Sequence, residues 1–433
     1  MIAPHHVTAT LTQREACSRD WDVGIIGAGV AGTSLAIHLA RQGISVLLIE
    51  SQRFPREKVC GGCLNQRAIA SLEKLGVLSE CVSAGAVEID ALRIVQGARE
   101  HRWAIPRMLS IRRSTLDTIL VKAAIASGAH YLDQTSASVG SSGSLPNREV
   151  ALHLRPKDLP GSKETSGDPP PSSPGPHEGN ASCEVRVRTA VVAAGLTRSP
   201  LTQRDAWPAT IEPRSRIGVQ ALIPAELLED GDACWSQAFP LAARHDLRML
   251  IGTDGYLGIS RTDGDCYDFA AALDPSAIGR HGSIAAAIDA ILSSCGLPSI
   301  RGLTPHGWKS TPHLTRRSWP VARDRIFLLG DSMGYVEPFT GEGMSWAMAG
   351  GKWLSDRLQS ALGTALTGAS LDRAMAEVEA AWNDWAGIQR RRHQSVCQWV
   401  AGQVRYPTRT AWVLTGLDWI PPVRNILLRK ATQ

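Results

Sequence analysis

The sequence contains no run of about 18 apolar residues, the length needed to cross a bilayer, so no transmembrane helix is expected. It also lacks a concentrated basic block. The formal net charge is +5, from 46 Lys and Arg against 41 Asp and Glu, and the arginines are scattered. Nucleic-acid binding needs a dense basic surface and is not expected here. The 433 residues, 43% of them hydrophobic, are typical of a globular protein of two or three domains.

Signals for export and for a disulfide framework are lacking as well. Residues 1–20 are polar, without an apolar segment and cleavage site, and are expected to be a disordered tail rather than a signal peptide. The nine cysteines are odd in number and thinly spread, so they are expected to be reduced thiols. The composition therefore favours a cytoplasmic protein.

The clearest motif lies near the start of the chain. Residues 22–26 form a short apolar run, typical of a buried strand, that leads into Gly27-Ala28-Gly29-Val30-Ala31-Gly32 and a helical pattern. A second apolar run, 46–49, ends at Glu50. In such a βαβ unit the glycines allow a tight turn and a pyrophosphate at the helix N-terminus, and the acid accepts hydrogen bonds from ribose. The residues predicted here to bind a dinucleotide are Gly27, Gly29, Val30, Ala31, Gly32, Glu50 and Ser51.

A second motif lies far along the chain. Residues 325–329 predict a short strand that ends at Gly330-Asp331, and a helical pattern runs from Ser345 to about Leu358. A carboxylate at a strand end can bind a polyol chain, and free N–H groups at a helix N-terminus favour a negatively charged ligand edge. The residues predicted to bind the cofactor in this motif are Asp331, Gly341, Gly343 and Met344.

Together these motifs resemble the flavoprotein superfamily of para-hydroxybenzoate hydroxylase, geranylgeranyl reductase and the flavin-dependent halogenases. Residues 53–62, Arg-Phe-Pro-Arg-Glu-Lys-Val-Cys-Gly-Gly, and residues 330–344 are similar to segments of the geranylgeranyl reductase branch. Residues 113–117, Arg-Ser-Thr-Leu-Asp, resemble the family's arginine and Leu-Asp signature at a helix start. The resemblance implies FAD as the cofactor. The further contacts that it implies are Cys60, Gly61, Gly62 and Arg113.

Two segments depart from the family patterns. Residues 191–199 stand where the family usually has Gly-Ala-Asp-Gly, but the aspartate is absent and Ala194 precedes the glycine, which puts a contact of that carboxylate in doubt. Residues 101–106 hold half of the halogenase Trp-x-Trp-x-Ile-Pro motif, with His101 in place of the first tryptophan. We interpret Trp103 and Pro106 as packing at a strand edge.

The resemblance implies an α/β fold: a doubly wound, Rossmann-like flavin-binding domain interleaved with an antiparallel β-sheet substrate domain, plus a helical C-terminal region. We predict the flavin domain at 21–210 and 311–370, the substrate domain at 211–310 and the helical region at 371–433. Residues 156–180 hold 7 Pro, 4 Gly and 4 Ser and are predicted to be a disordered loop inside the flavin domain. Alternation predicts strands at 216–223, 248–251, 255–260 and 266–273.

The C-terminal region carries Trp399, Trp412 and Trp419 among several arginines. Aromatic and basic residues together are typical of a membrane interface, so peripheral membrane contact through this tail is one interpretation. The other is that the tryptophans pack over the substrate domain.

Cys60-Gly61-Gly62-Cys63 is the most conspicuous reactive segment. A zinc site would need two further ligands, and no matching pair is spaced to supply them, so no metal is expected. A dithiol relay to the flavin, a single working Cys60 and a structural role all stay open. Cys60 is the candidate catalytic residue. His245 and His313 are possible acid–base groups, although a histidine that is exposed or already hydrogen-bonded is the commoner case.

The sequence thus predicts an FAD-dependent oxidoreductase with a lipophilic small-molecule substrate. The favoured reaction is an NAD(P)H-dependent monooxygenation of an aromatic or polyketide-like natural-product intermediate. Reduction of isoprenoid C=C bonds, as in geranylgeranyl reductase, and halogenation are the alternatives. No second glycine motif follows an apolar strand, so NAD(P)H would dock transiently, or a partner protein would donate the electrons. A flavin protein that only carries electrons is a further possibility.

Overall fold

The computed structural model describes residues 6–143, 149–157, 183–202, 204–229, 233–240, 243–300, 307–337, 341–363, 366–391, 395–422 and 424–425. Residues 158–180, nearly all of the loop predicted to be disordered at 156–180, lie outside these ranges.

Strands and helices alternate along the first part of the chain, as the βαβ motif predicts. The strands are β1 (Trp21–Ile26), β2 (Val46–Ile49), β3 (Cys63–Leu64), β4 (Val87–Gln96), β5 (Arg99–Ser110), β6 (His130–Leu132), β7 (Thr135–Ser142), β8 (Val150–Pro156), β9 (Cys183–Val192), β10 (Ala209–Ile211), β11 (Ile217–Pro224), β12 (Asp246–Ile251), β13 (Gly255–Thr262), β14 (Cys266–Leu273), β15 (Lys309–His313), β16 (Arg316–Ser318), β17 (Ala322–Arg323), β18 (Ile326–Leu328) and β19 (Gly334–Tyr335). The helices are α1 (Gln13–Cys17), α2 (Val30–Arg41), α3 (Gln66–Leu75), α4 (Leu78–Ser83), α5 (Arg113–Ala126), α6 (Glu226–Glu229), α7 (Ala233–Ala238), α8 (Pro275–His281), α9 (Ile284–Ser294), α10 (Gly343–Leu362), α11 (Gly368–Gln389), α12 (Ser395–Val404) and α13 (Pro407–Trp419).

The first sheet is the Rossmann-like sheet that the sequence predicts. Its parallel part has the strand order β18-β9-β1-β2-β6, and β8 and β7 extend it from β9 as antiparallel strands. Every residue of β2 is buried, as is typical of parallel strands covered on both faces. Helices α2, α5 and α10 contribute buried side chains to the same core. This places the glycine motif and Asp331 at the carboxyl ends of β1 and β18, the two strands that flank β9, where α/β proteins bind ligands.

The second sheet has the strand order β15-β11-β14-β13-β12-β4-β5-β3 and is antiparallel except between β12 and β4. Side chains alternate across β14. Tyr267, Phe269 and Leu273 pack in a core shared with α8 and α9, whereas Asp268 and Ala270 line a cavity on the opposite face. Because most of its strands fall in the segment predicted to bind substrate, we call this sheet the substrate sheet.

The substrate sheet begins earlier in the chain than predicted. The boundary at residue 210 assigns residues 87–110 to the flavin domain, but β4 and β5 pair with each other and β4 joins β12 in the substrate sheet. This part of the predicted boundary is wrong, because the partner strand lies more than a hundred residues away and leaves no local signal.

The described part of the N-terminal segment is folded. Val7, Leu11 and Ala16 are buried in the flavin-domain core, and the Thr10 N–H donates to the Tyr131 carbonyl oxygen at 2.9 Å. Cys17 at the end of α1 forms a disulfide with Cys183 at the start of β9. The prediction of a disordered tail is therefore wrong for residues 6–20, and the expectation of reduced thiols is wrong for this pair.

The C-terminal region is helical where it is described. Trp382 of α11 is fully buried, and its Nε1–H donates to the Leu328 carbonyl oxygen of β18 at 3.1 Å. Asp418 of α13 accepts a hydrogen bond from Trp103 Nε1 at 2.7 Å, which joins the tail to β5 of the substrate sheet. Among the described residues, no helix combines the length and apolar character needed to cross a bilayer.

Candidate active site

The glycine turn between β1 and α2 lets neighbouring backbone segments lie unusually close together. Gly27 has φ +107°, which favours glycine, and a Cβ added there would collide with the carbonyl of Ala193. A Cβ at Gly32 would collide with the carbonyl oxygen of Gly27, so Gly32 allows the helix to pack against the turn. Helix α2 has Gly29 as its N-cap without a side-chain cap, which leaves first-turn N–H groups for a ligand.

Glu50, directly after β2, lies beside this glycine turn. Its carboxylate is buried and accepts hydrogen bonds from the backbone N–H groups of Ala28, at 3.1 Å, and Gln52, at 3.0 Å. The neighbouring Ser51 hydroxyl donates to it at 3.2 Å. The acid is therefore held beside the glycine turn, as a ribose-binding carboxylate has to be.

Two arginines face the open side of Gly29. A Cβ added at Gly29 would lie 3.5 Å from Nη2 of both Arg56 and Arg113. Arg113 opens α5 and bonds Asp117, and Arg56 contacts Asp117 at 3.3 Å and Glu50 at 3.4 Å. The position expected for a pyrophosphate is thus flanked by two fixed guanidinium groups.

The motif around Gly330 and Asp331 lies directly against the glycine turn at the start of α2. A Cβ added at Gly330 would lie 2.8 Å from the Ala31 side chain, so the turn after β18 packs directly on the start of α2. Asp331 follows in a short 3₁₀ helix, and Lys58 Nζ lies 3.5 Å from its carboxylate. Helix α10 begins at Gly343, two residues before the predicted start at Ser345, and its N-cap makes no side-chain hydrogen bond to the first turn.

Two cavities share Gly29, Lys58 and Ala193 in their walls and so form one elongated cleft. One end is at Glu50 and Ser51, and the other is at α10 and the substrate sheet. Every predicted site residue lines this cleft except Gly32, which packs against the turn. Those in the cleft wall are Gly27, Gly29, Val30, Ala31, Glu50, Ser51, Cys60, Gly61, Gly62, Arg113, Asp331, Gly341, Gly343 and Met344.

The substrate sheet supplies the remaining wall of the cleft. Small residues stand at the inward positions of three strands, and apolar side chains surround them. The small residues are Gly218, Gly258, Ala270 and Ala272, and the larger apolar ones are Leu247, Met249 and Leu314. The sequence could not identify them, because a glycine or alanine inside a strand carries no sign of the cavity beyond it.

The two cysteines of the Cys60–Cys63 segment differ in environment. Cys60 is half-buried in the cleft wall, and its backbone N–H and carbonyl both bond the Gln220 side chain, at 3.3 and 2.8 Å. Cys63 is buried in β3, and burial raises the pKa of its thiol to about 12. Thiol–disulfide exchange requires a thiolate, so the environment of Cys63 disfavours a dithiol relay.

Several other candidates lie away from the cleft. The Nδ1 atom of His245 lies 2.7 Å from the Glu88 carbonyl oxygen, that of His313 lies 3.0 Å from the Ser215 carbonyl oxygen, and neither side chain lines the described cleft. Trp103 is buried against α13 instead.

Sequence reasoning missed Arg56, Lys58, Asp117, Gln220 and Asp268. The first three stand inside the segments that carry the family resemblance, which is the signal that could have found them.

Comparison with known proteins agrees with this geometry. Residues 20–141 match the family described as FAD binding domain. The structure resembles the flavin-dependent brominase Bmp2, with a TM-score of 0.70 and 17% identity over 96% of this chain and 94% of that one. It also resembles PqsL of Pseudomonas aeruginosa, a probable FAD-dependent monooxygenase, with a TM-score of 0.65 and 17% identity over 92% of this chain and all of that one.

Curated relatives match over shorter segments. The menaquinone reductase of Mycolicibacterium smegmatis is 45% identical over 58 residues, which are 13% of this chain and 14% of that protein. The cleft fits FAD: a buried acid at one end, two guanidinium groups beside an unhindered glycine, and a helix N-terminus at the other end. The chain therefore has the fold of these FAD-dependent flavoproteins, and the predicted fold class and the prediction of FAD as the cofactor are confirmed.

Proposed function

We propose that the protein is an FAD-dependent monooxygenase acting on a lipophilic aromatic or polyketide-like molecule. The observation that carries this proposal is the pairing of the cofactor cleft with a wall of small and apolar residues on the substrate sheet. Glycine and alanine at the inward strand positions leave room for a bulky ring, and Leu247, Met249 and Leu314 favour an apolar one. Solved structures that share the fold include the brominase Bmp2, the halogenase CndH and PqsL, described as a probable monooxygenase.

The residues of the cleft divide the binding of FAD between them. Gly27, Gly29, Val30 and Ala31, with Arg56 and Arg113, would hold the diphosphate, and Glu50 and Ser51 the adenosine ribose. Asp331 would bind the polyol chain. The N-terminus of α10, with Gly341, Gly343 and Met344, would face the edge of the flavin that becomes negative on reduction.

Bound FAD would supply the redox chemistry, accepting a hydride from NAD(P)H and using it to activate oxygen. The chain's own contribution is orientation and exclusion of water. The substrate sheet holds the organic molecule against the cofactor cleft, and its apolar side chains keep water from the reacting atoms. Cys60 and Gly61 line the same cavity and would lie between the bound cofactor and the substrate.

The test uses FAD-saturated protein and 1-naphthol as the probe. We expect NAD(P)H-dependent oxygen uptake that 1-naphthol stimulates, with incorporation of an oxygen atom from isotope-labelled O₂ into the product. Uptake without labelled product, over a panel of aromatic probes, would contradict the monooxygenase proposal. Protein that cannot be loaded with FAD would contradict the cofactor assignment as well.

A geranylgeranyl reductase-type activity is the second candidate. The menaquinone reductases, matched at 45% and 48% identity over short segments, support a reductive reaction. In that case the reduced protein would saturate geranylgeraniol without oxygen, which the same preparation can test under argon. Halogenation is less well supported, because Trp103 of the half-motif packs against α13 rather than lining the cleft.

Peripheral membrane contact fits a lipophilic substrate and forms part of the proposal. Trp412 and Trp419 of α13 are 80% and 82% exposed and stand seven residues apart, on one face of the helix. Ile420 at the end of the helix is exposed too. Exposed tryptophans on one helix face are typical of segments that lie in a membrane interface.

A further inference from the structure

Asp268 of β14 is a buried carboxyl group in the cleft wall, and the proposed FAD site does not use it. Its side chain is 1% exposed, and it stands on the same strand face as Ala270 and Ala272. Its Oδ2 accepts a hydrogen bond from Gln220 Nε2 at 2.8 Å. Its Oδ1 has no hydrogen-bond partner within the part of the chain that the structure describes. A buried carboxyl oxygen without a partner is costly, which points to a ligand as the partner.

The surroundings fix the orientation of this group. Gln220 Nε2 also donates to the Cys60 carbonyl oxygen at 2.8 Å, so Gln220 ties Asp268 to the Cys60–Gly62 segment. A Cβ added at Gly62 would lie 3.6 Å from Oδ2, and Ser260 is the residue opposite Asp268 on β13. Oδ2 is thus held by Gln220 and packed near Gly62, and Oδ1 is the carboxyl oxygen that remains for a ligand.

The electrostatic surroundings favour the neutral acid. Burial, together with the carboxylates of Glu57 and Asp263, raises the pKa of Asp268 to about 8, against the opposing effects of the Gln220 hydrogen bond and Arg112. The Cys63 thiol interacts electrostatically with Asp268 as well, and burial keeps that thiol protonated. At neutral pH the carboxyl group therefore carries a proton that it can donate, as protonated carboxylic acids in apolar enzyme sites do.

We propose that Asp268 is a substrate-binding residue that donates a hydrogen bond from its carboxyl group to a carbonyl or quinone oxygen of an otherwise apolar substrate. The inference rests on the proposed function, since it assumes that the substrate lies along the small-residue wall. It narrows the substrate class to molecules with an acceptor oxygen. An acid at this position can orient such a molecule by a single polar contact while the rest of the wall stays apolar.

The experiment compares two probes of similar shape, 1,4-naphthoquinone and naphthalene, on FAD-saturated protein. Binding is followed by the change in the spectrum of the oxidised flavin, without turnover. We expect wild type to prefer the quinone, Asp268→Leu to lose that preference about tenfold, and Asp268→Asn to keep most of it through its amide donor. Asp265→Asn, at an exposed turn residue, should leave both affinities unchanged.

The pH dependence gives an independent readout. The preference of wild type for the quinone should fall as the pH rises through about 8, because Asp268 then loses its proton, and it should stay constant in Asp268→Asn. If wild type and Asp268→Leu show the same preference for the quinone, and both still bind FAD and naphthalene, the assigned role of Asp268 is wrong but the proposed function stands. If neither probe binds FAD-saturated protein, the proposed substrate class falls together with this inference.

Discussion

Two hydrogen bonds, at 2.9 and 2.8 Å, join the guanidinium of Arg113 to both carboxylate oxygens of Asp117, one turn further along α5. Asp117 is fully buried and also contacts Arg56 at 3.3 Å. The pair fixes the plane of the Arg113 guanidinium, and Arg113 and Arg56 together flank Gly29. A site preorganised in this way loses less entropy when an anion binds.

Arg113→Ala should therefore weaken FAD binding by about 10- to 100-fold, the loss of one or two hydrogen bonds between charged groups. Equilibrium dialysis of the apoprotein with FAD measures this. Arg107→Ala is the matched control, because Arg107 forms a 3.0 Å ion pair with Glu88 in which both side chains are about half exposed. Equal FAD affinity in Arg113→Ala and Arg107→Ala would contradict the assigned role of Arg113.

The sequence predicts the flavin domain well because its signals are local. The strand, glycine turn, helix and acid from Trp21 to Glu50 follow each other within one βαβ unit, and the structure has β1 and α2 where the pattern indicates. The meeting of Ala31 with Gly330 cannot be derived from either motif alone. It follows from the family resemblance, which implies that both motifs bind one cofactor.

The substrate side is harder to predict, for physical reasons. Whether Asp268 or Phe269 faces the cleft depends on strand register, since neighbouring residues point to opposite faces. The described N-terminal segment packs through a few apolar residues, chiefly Val7, Leu11 and Ala16, which are too few for a periodic pattern, and a disulfide joins it to a distant strand. Such long-range pairings leave no signal in a single sequence.

Cys60 and Cys63 should differ in reactivity. The half-buried Cys60 should react with iodoacetamide in the folded apoprotein, whereas Cys63, buried and with a pKa near 12, should react only after unfolding. Peptide mass spectrometry with and without FAD measures both sites, and bound FAD should protect Cys60. Equal labelling of the two cysteines would contradict this. A Cys60→Ala variant with full turnover and normal FAD content would remove Cys60 from the chemistry.

Glu342, the N-cap of α10, should make stability depend on pH. Burial raises the pKa of its carboxyl to about 7, although the Cys397 thiol, which donates to it at 2.8 Å, and Arg67 oppose the shift. Because the folded state holds the proton more tightly than the unfolded chain, the stabilisation is present at low pH and is lost as the pH rises from about 4.5 to about 7.

Glu342→Gln, which stays neutral, should therefore gain stability relative to wild type between pH 5 and pH 8, by up to about 3 kcal/mol. Denaturant unfolding of FAD-saturated protein at the two pH values measures the difference. Glu73→Gln, at an exposed position of α3, should show no such gain. A pH-independent difference for Glu342→Gln would mean that Glu342 is ionised in the folded protein.

The exposed indoles of α13 lead to the last prediction. Trp412 and Trp419 project from a helix whose Asp418 bonds Trp103 of the substrate sheet, so lipid bound by these indoles would lie beside the substrate domain. Each indole transferred into the interface contributes on the order of 1 kcal/mol, and replacing both should lower vesicle binding about tenfold or more.

The assay is flotation of FAD-saturated protein with phosphatidylcholine and phosphatidylglycerol vesicles. Trp319→Ala removes an equally large indole, 50% exposed and outside the tail, and should float like wild type. Flotation of Trp412→Ala/Trp419→Ala at the level of wild type would show that these side chains do not bind the membrane, and the substrate would then have to reach the cleft from solution.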